Sequence, residues 1–203
     1  MQLLAISRRA VDGSLTILGD VAQATGPVVY RRWQELEPYL PAEAEISIEE
    51  LKHAYRVPAE IMELALPLLD RIAPAVEPPV AYRRGGEPPR LVPVAAGQDV
   101  LTAAAREAAV LAERDGLLAV IVPRALAGDS STDGAFDDLS VPLLTPRQAK
   151  GLEFDHVVVV EPAAIAEAGD QGLRELYVAL TRPTQTLVVV HSRLLPDGLA
   201  TAS

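Results

Sequence analysis

The sequence predicts an α/β protein built on a parallel sheet with helices on both faces. Three observations carry this. Leu117–Val122 (LLAVIV), His156–Val160 (HVVVV) and Leu187–Val190 (LVVV) are near-continuous apolar runs of strand length. A strand covered on both faces has no polar side to alternate with, so such runs mark buried parallel strands. Helical stretches separate them, an alanine-rich one over Val100–Arg114 and another over Gly172–Leu180. The chain is 49% apolar but only 4% aromatic, which calls for an aliphatic core packed between helices and strands.

The remaining elements follow in chain order. Ser14–Asp20 (SLTILGD) is a short apolar run closed by Gly-Asp, and reads as a buried strand whose polar end points at a site. Val21–Pro27 is then a loop, and the polar, proline-marked stretch Trp33–Glu45 a crossing between lobes. Trp33, the sole tryptophan, is expected in the core more readily than stacked on a base. Ile46–Leu51 leads to Tyr55-Arg56-Val57-Pro58, where Pro58 suits the first turn of a helix running to about Asp70. Residues 73 to 90 hold five prolines together with Gly85 and Gly86, so an extended connector is expected there. Leu91–Ala95 and Val141–Leu144 are short strand candidates, and Asp129–Asp138 an acidic surface loop.

Composition excludes several functions. A formal net charge of -10 argues against a self-sufficient nucleic-acid binder, because affinity for phosphate comes from clustered positive charge, although a local basic groove stays open. The chain has no cysteine, and His53, His156 and His191 share no ligand spacing, so no metal site is expected. Arg8 and Arg9 follow the apolar residues at the N-terminus instead of preceding them, the reverse of a signal peptide. No apolar run reaches the length of a membrane span, so a cytoplasmic protein with no membrane partner is expected.

A nucleotide motor is tested first by G-x-x-x-x-G-K-[ST], whose backbone amides and lysine hold phosphates. The only lysines are Lys52 and Lys150, and neither follows a glycine, so the loop is missing in every register. Four other segments nevertheless form a set. Thr16 through Gln23 (TILGDVAQ) resembles motif III of UvrD/Rep-type superfamily 1 helicases, and Tyr55-Arg56 resembles motif IV. Thr145 through Asp155, containing KGLEFD, resembles motif V, and Leu176 through Arg182 (LYVALTR) resembles motif VI. They stand in that family's order.

The resemblance implies a RecA-like fold, with residues 1–44 the end of a first RecA-like lobe and 45–203 the second lobe. It implies that Arg56 and Arg182 act as arginine fingers and that Gln23 senses the terminal phosphate of ATP. Asp20 and Glu153 join these residues around the nucleotide, Glu153 at its sugar. Thr145, Arg147 and Lys150 would touch the nucleic-acid backbone, with Arg147 where the family usually has histidine. ATP and Mg2+ would be used only with a missing N-terminal ATPase lobe, and DNA is the implied track. The stretch between motifs IV and V is too short for the family's large inserted subdomain. That, the TILGDVAQATGP and AYRVPAEIMELA segments and the acidic charge look closest to the HelD-type ATPases that act on RNA polymerase.

Plainer readings accompany these. Considered alone, Asp20 is a magnesium ligand or a turn residue, Arg182 the neutraliser of a helix end, and Glu153, Asp155 and Lys150 solvated surface charges. His156 opens a buried strand and carries no function. At the level of the whole chain, the alternatives are a non-catalytic module that binds RNA polymerase, or the relic of a truncated helicase gene.

Overall fold

The computed structural model describes residues 2–10, 14–26, 30, 32–40 and 45–199. Seven strands occur among them: β1 (His53–Ala54), β2 (Val80–Ala81), β3 (Arg90–Pro93), β4 (Leu118–Ile121), β5 (Leu143–Leu144), β6 (Phe154–Val160) and β7 (Pro183–His191). The helices are α1 (Gln2–Ser7), α2 (Ala59–Ile72), α3 (Val100–Ala112), α4 (Ser130–Ala135), α5 (Pro146–Ala149), α6 (Pro162–Ala166) and α7 (Asp170–Leu180), with a 3-10 turn over Trp33–Tyr39.

Five strands form one sheet in the order β3-β7-β6-β4-β5, every pair parallel, and β1 and β2 form a separate parallel pair. Alternate side chains of one strand serve opposite faces. Val157, Val159, Leu187 and Val189 pack with α2, α5 and α7, whereas Val158, Val160, Val188 and Val190 pack with α3 and the α4 region. Val157–Val160 and Val188–Val190 are all fully buried, each contributing about 1.5–3 kcal/mol of transfer free energy. The valine runs at β6 and β7 are therefore the centre of the molecule.

The helices form for local reasons. α2 buries Ile61, Ala65, Leu68 and Ile72, a stripe at helical spacing, and Pro58 stands at its N-cap. The Asp99 carboxylate accepts from the backbone N–H groups of Leu101 and Thr102 at the start of α3. Gly172 lies in the first turn of α7, where an added Cβ would come within 2.4 Å of the Ile165 carbonyl oxygen, so only glycine lets α6 and α7 meet.

Four expectations are corrected. Ser14–Asp20 forms no strand and is not buried, with Leu18 86% exposed, because no strand among the described residues accepts its ladder. The crossing begins with the 3-10 turn at Trp33, and Trp33 is half-buried against Gly19. The acidic loop is a short helix, α4, with Asp129 accepting from Ser131 N–H as its cap and Thr132 and Phe136 turned inward. The proline-rich connector also contributes β2, with Val80 N–H bonded to Lys52 O. Pro27 and residues 41–44 of the expected linkers lie outside the described residues. Among the described residues no helix is long and apolar enough to cross a membrane.

Five carboxylates among the described residues titrate below their usual range, Asp129 among them through the Ser131 hydroxyl and N–H. The Arg114 guanidinium holds Glu87 down, and the Leu117 N–H with Gln185 and Thr184 does the same for Asp155. Thr102 lowers Asp99, and its own N–H and that of Gly85 lower Glu60. A carboxyl group with a depressed folded pKa stabilises above its unfolded value and loses that contribution as pH falls through the folded value. Thermal unfolding followed by circular dichroism is expected to hold its midpoint above pH 4.5, the unfolded glutamate value, and to decline steadily below it. A midpoint that rises on acidification would contradict this.

Candidate functional site

Asp20 folds its own loop. Its carboxylate accepts from the Ala22 N–H at 2.8 Å and from the Gln23 side-chain amide at 2.7 Å. The loop is fastened to the large sheet's layer by three cations from distant sequence. Arg174 of α7, fully buried, donates to Val21 O at 2.9 Å and also to Ile72 O. Lys150 reaches Gln23 O at 2.7 Å, and Arg182 reaches Gln23 Oε1 at 3.2 Å.

Arg182 lies between the end of α7 and the start of β7, and is 1% exposed. Its Nε donates to Val178 O at 3.0 Å and its Nη1 to Leu152 O at 3.0 Å, so it does neutralise the helix end while also meeting Gln23. Burial and then the neighbouring Arg56 pull its pKa down to about 10, since both disfavour a further positive charge. Gly151 adopts φ +83 directly after Lys150, a left-handed turn that glycine takes freely, and this turn brings Leu152 O and Glu153 to the cluster.

Arg56, just before α2, pairs with Glu153 at 3.2 Å, and the two side chains are 40% and 60% exposed. The pair is worth about 0–1 kcal/mol at such exposure, so it is a weak tether. The Arg56 Nε is shielded from solvent and has no hydrogen-bond partner among the described residues. Tyr177 is buried beside the site, and burial with Asp20 nearby pushes its phenol up.

The structure thus brings together Gln23, Arg56, Glu153, Arg182, Asp20 and Lys150, which lie far apart in sequence. Thr145 and Arg147 are not in that cluster. Thr145 caps α5 in a capping box with Gln148, and Arg147 lies 4.0 Å from Glu175. Arg83 is a participant that the sequence did not single out: it donates to Arg56 O at 3.2 Å and Thr184 O at 2.9 Å, holding the Arg56 backbone against β7. Nothing in its PPVAYRRGG surroundings signals that reach. A cavity of about 710 Å3 runs beside the cluster between residues 14–22 and 45–52, and of the cluster residues only Asp20 lines it. Among the described residues no three His, Asp or Glu side chains group as metal ligands.

The cluster lies at the amino ends of β6 and β7, where Phe154 pairs with Pro183. Open parallel sheets bind their own ligands at the opposite, carboxyl ends.

The five-stranded parallel sheet with helices on both faces is a RecA-like α/β fold. Residues 141–190 match the family described as UvrD-like helicase C-terminal domain, a span that holds Thr145, Arg147, Lys150, Glu153 and Arg182 but neither Gln23 nor Arg56. The chain is similar in fold to the C-terminal domain of a possible DNA helicase from Lactobacillus plantarum WCFS1, at 17% identity and TM-score 0.54, over 74% of this chain and 94% of that one. A match to PRRSV nsp10 (helicase) has 14% identity and TM-score 0.34, over 68% of this chain and 23% of that one. Comparison with curated proteins gave no match.

Proposed function

We propose that this chain is the part of a superfamily 1 helicase-like motor that supplies arginine fingers to an ATP site carried by a P-loop lobe. Residues 1–44 would be the end of that first lobe and 45–203 the second. The observation that supports it best is the meeting of Gln23, Arg56, Glu153 and Arg182 at the amino edge of the sheet. A γ-phosphoryl group in transfer needs positive charge placed against its developing anion. Arg182, held by Val178 O and Leu152 O, is oriented in advance, and Arg56, exposed and weakly tethered, has the freedom to leave Glu153 for phosphate.

These groups fit the phosphate chain of ATP and not its magnesium ion, since the two carboxylates of the cluster, Asp20 and Glu153, are engaged by Gln23 and Arg56. ATP bound here would supply the phosphoryl group, with the metal held by the other lobe. Nucleic acid is the partner that Lys150, Arg147 and Thr145 are read to touch. The short stretch between Arg56 and Lys150 and the net charge of -10 favour, within this reading, a HelD-type role in displacing RNA polymerase over strand unwinding.

Assay of ATP hydrolysis by the chain alone is expected to give no turnover above background, because no phosphate-binding loop is present. Robust turnover that disappears in Arg182→Ala would sink the division of labour argued here.

A further inference from the structure

Two stretches of this chain have the pattern of strands without belonging to a sheet. In residues 14–18, Leu15 and Ile17 are half-buried while Ser14, Thr16 and Leu18 are exposed. In residues 45–49, Ile46 and Ile48 alternate with Glu45, Ser47 and Glu49. Alternation with period two is the mark of a strand with one covered face. Yet residues 14–19 and 45–51 make no backbone–backbone hydrogen bond among the described residues. Their N–H and C=O groups are therefore open to another chain.

Both stretches line the cavity of about 710 Å3, together with Trp33, Leu69 and Val80. That volume falls within the range of about 300–1,000 Å3 that ligand pockets occupy. Apolar side chains at its mouth meet water, Leu51 being 87% exposed and Val80 54%. The rim carries the chemistry that selects an occupant. Six carboxylates line the cavity, those of Asp20, Glu37, Glu45, Glu49, Glu50 and Glu77, against one cation, Lys52. Lys52 already pairs with Glu77 at 3.2 Å. The Glu37, Glu45 and Glu50 carboxylates are exposed and make no hydrogen bond or ion pair among the described residues. Negative charge gathered beside apolar walls attracts cations and repels a second copy of this chain, whose net charge is -10. The carboxylates do not group as metal ligands, so a cation on a long side chain fits better than a bare metal ion.

We infer that this cleft takes an extended segment of a protein partner in which apolar residues alternate with Lys or Arg. The segment's backbone adds to residues 14–18 and 45–51 as a strand, a mode in which main-chain hydrogen bonds give affinity and alternate side chains give specificity. Its apolar side chains cover Leu15, Ile17, Ile46 and Ile48, and its cations meet Glu37, Glu45, Glu49 and Glu50. Of the residues clustered around Arg56 and Arg182 only Asp20 lines the cleft, so the inference goes beyond the ATP-site reading and is tested without it.

Trp33 is the sole tryptophan and lines the cavity, so its fluorescence reports occupancy. The full chain is titrated with a synthetic peptide of about eight residues that alternates valine and lysine. A saturable shift in Trp33 emission is expected, weakened severalfold when salt is raised from about 0.05 M to about 0.5 M. The double variant Glu49→Lys with Glu50→Lys should weaken binding by about tenfold. Asp137→Lys with Asp138→Lys makes the same change of charge at exposed positions beside Phe136, on the other face of the sheet, and should leave binding unchanged. Methylating alternate backbone nitrogens of the peptide removes hydrogen-bond donors while keeping every charge, and should also cost about tenfold. The inference would be overturned by no saturable shift up to about 1 mM peptide, by equal binding of a valine–glutamate peptide, or by undiminished binding of the methylated one. Equal losses in the two double variants would overturn it as well, by reducing the effect to net charge. So would a Trp33 shift that follows protein concentration without peptide, since the occupant would then be a second copy of the chain.

Discussion

Arg174→Met is expected to lower the unfolding free energy by about 3–5 kcal/mol, measured by urea denaturation at neutral pH. The side chain is fully buried and donates to two backbone carbonyls, Val21 O and Ile72 O. Hydrogen bonds from a charged donor are worth about 1.5–3 kcal/mol each, and methionine fills the volume without replacing either. Ile72 is the last residue of α2, so its carbonyl has no partner within the helix and depends on Arg174. Val21 O belongs to the loop that presents Gln23. The same substitution should therefore release residues 20–25 locally, visible as faster amide hydrogen exchange there than in α3. A loss under about 1 kcal/mol would mean that the loop is held by Val21 and Ala22 burial alone.

This residue also shows where sequence reasoning stopped. Arg174 stands inside DQGLRELYVAL among residues that pack, and its helical position places it on the buried side, yet arginine by composition reads as surface. Only the fold brings Val21 and Ile72 to it. The central strands were legible because β6 and β7 are continuous valine runs, a signal that depends on no other element. Ser14–Asp20 carried the same kind of signal and failed, because a strand exists only if a neighbour accepts its hydrogen bonds. At Asp129–Asp138 the acidic composition masked two helical cues, the Asp129 cap and the four-residue spacing of Thr132 and Phe136. The cluster residues Gln23, Arg56, Glu153 and Arg182 were named from short motifs. Their mutual contacts, and the involvement of Arg83, depend on how the loop before α2 folds against β7.

Arg56 and Arg182 separate structure from chemistry in different ways. In a protein that carries this chain together with a P-loop lobe, Arg56→Ala is expected to lower kcat for ATP hydrolysis by about 10^3-fold or more, the scale of a lost arginine finger. Stability should change by less than about 1 kcal/mol, because Arg56 makes one exposed ion pair with Glu153. Arg182→Lys should cost activity on the same scale but also lower the melting temperature, since lysine cannot serve Val178 O, Leu152 O and Gln23 Oε1 at once. A drop in kcat for Arg56→Ala with an unaltered melting temperature therefore reports on chemistry alone. If instead Arg56→Ala leaves kcat intact and only Arg182→Lys impairs turnover in step with lost stability, the cluster is a structural knot that ties α7 to the Gln23 loop. The arginine-finger reading would then fall, while the RecA-like fold would stand.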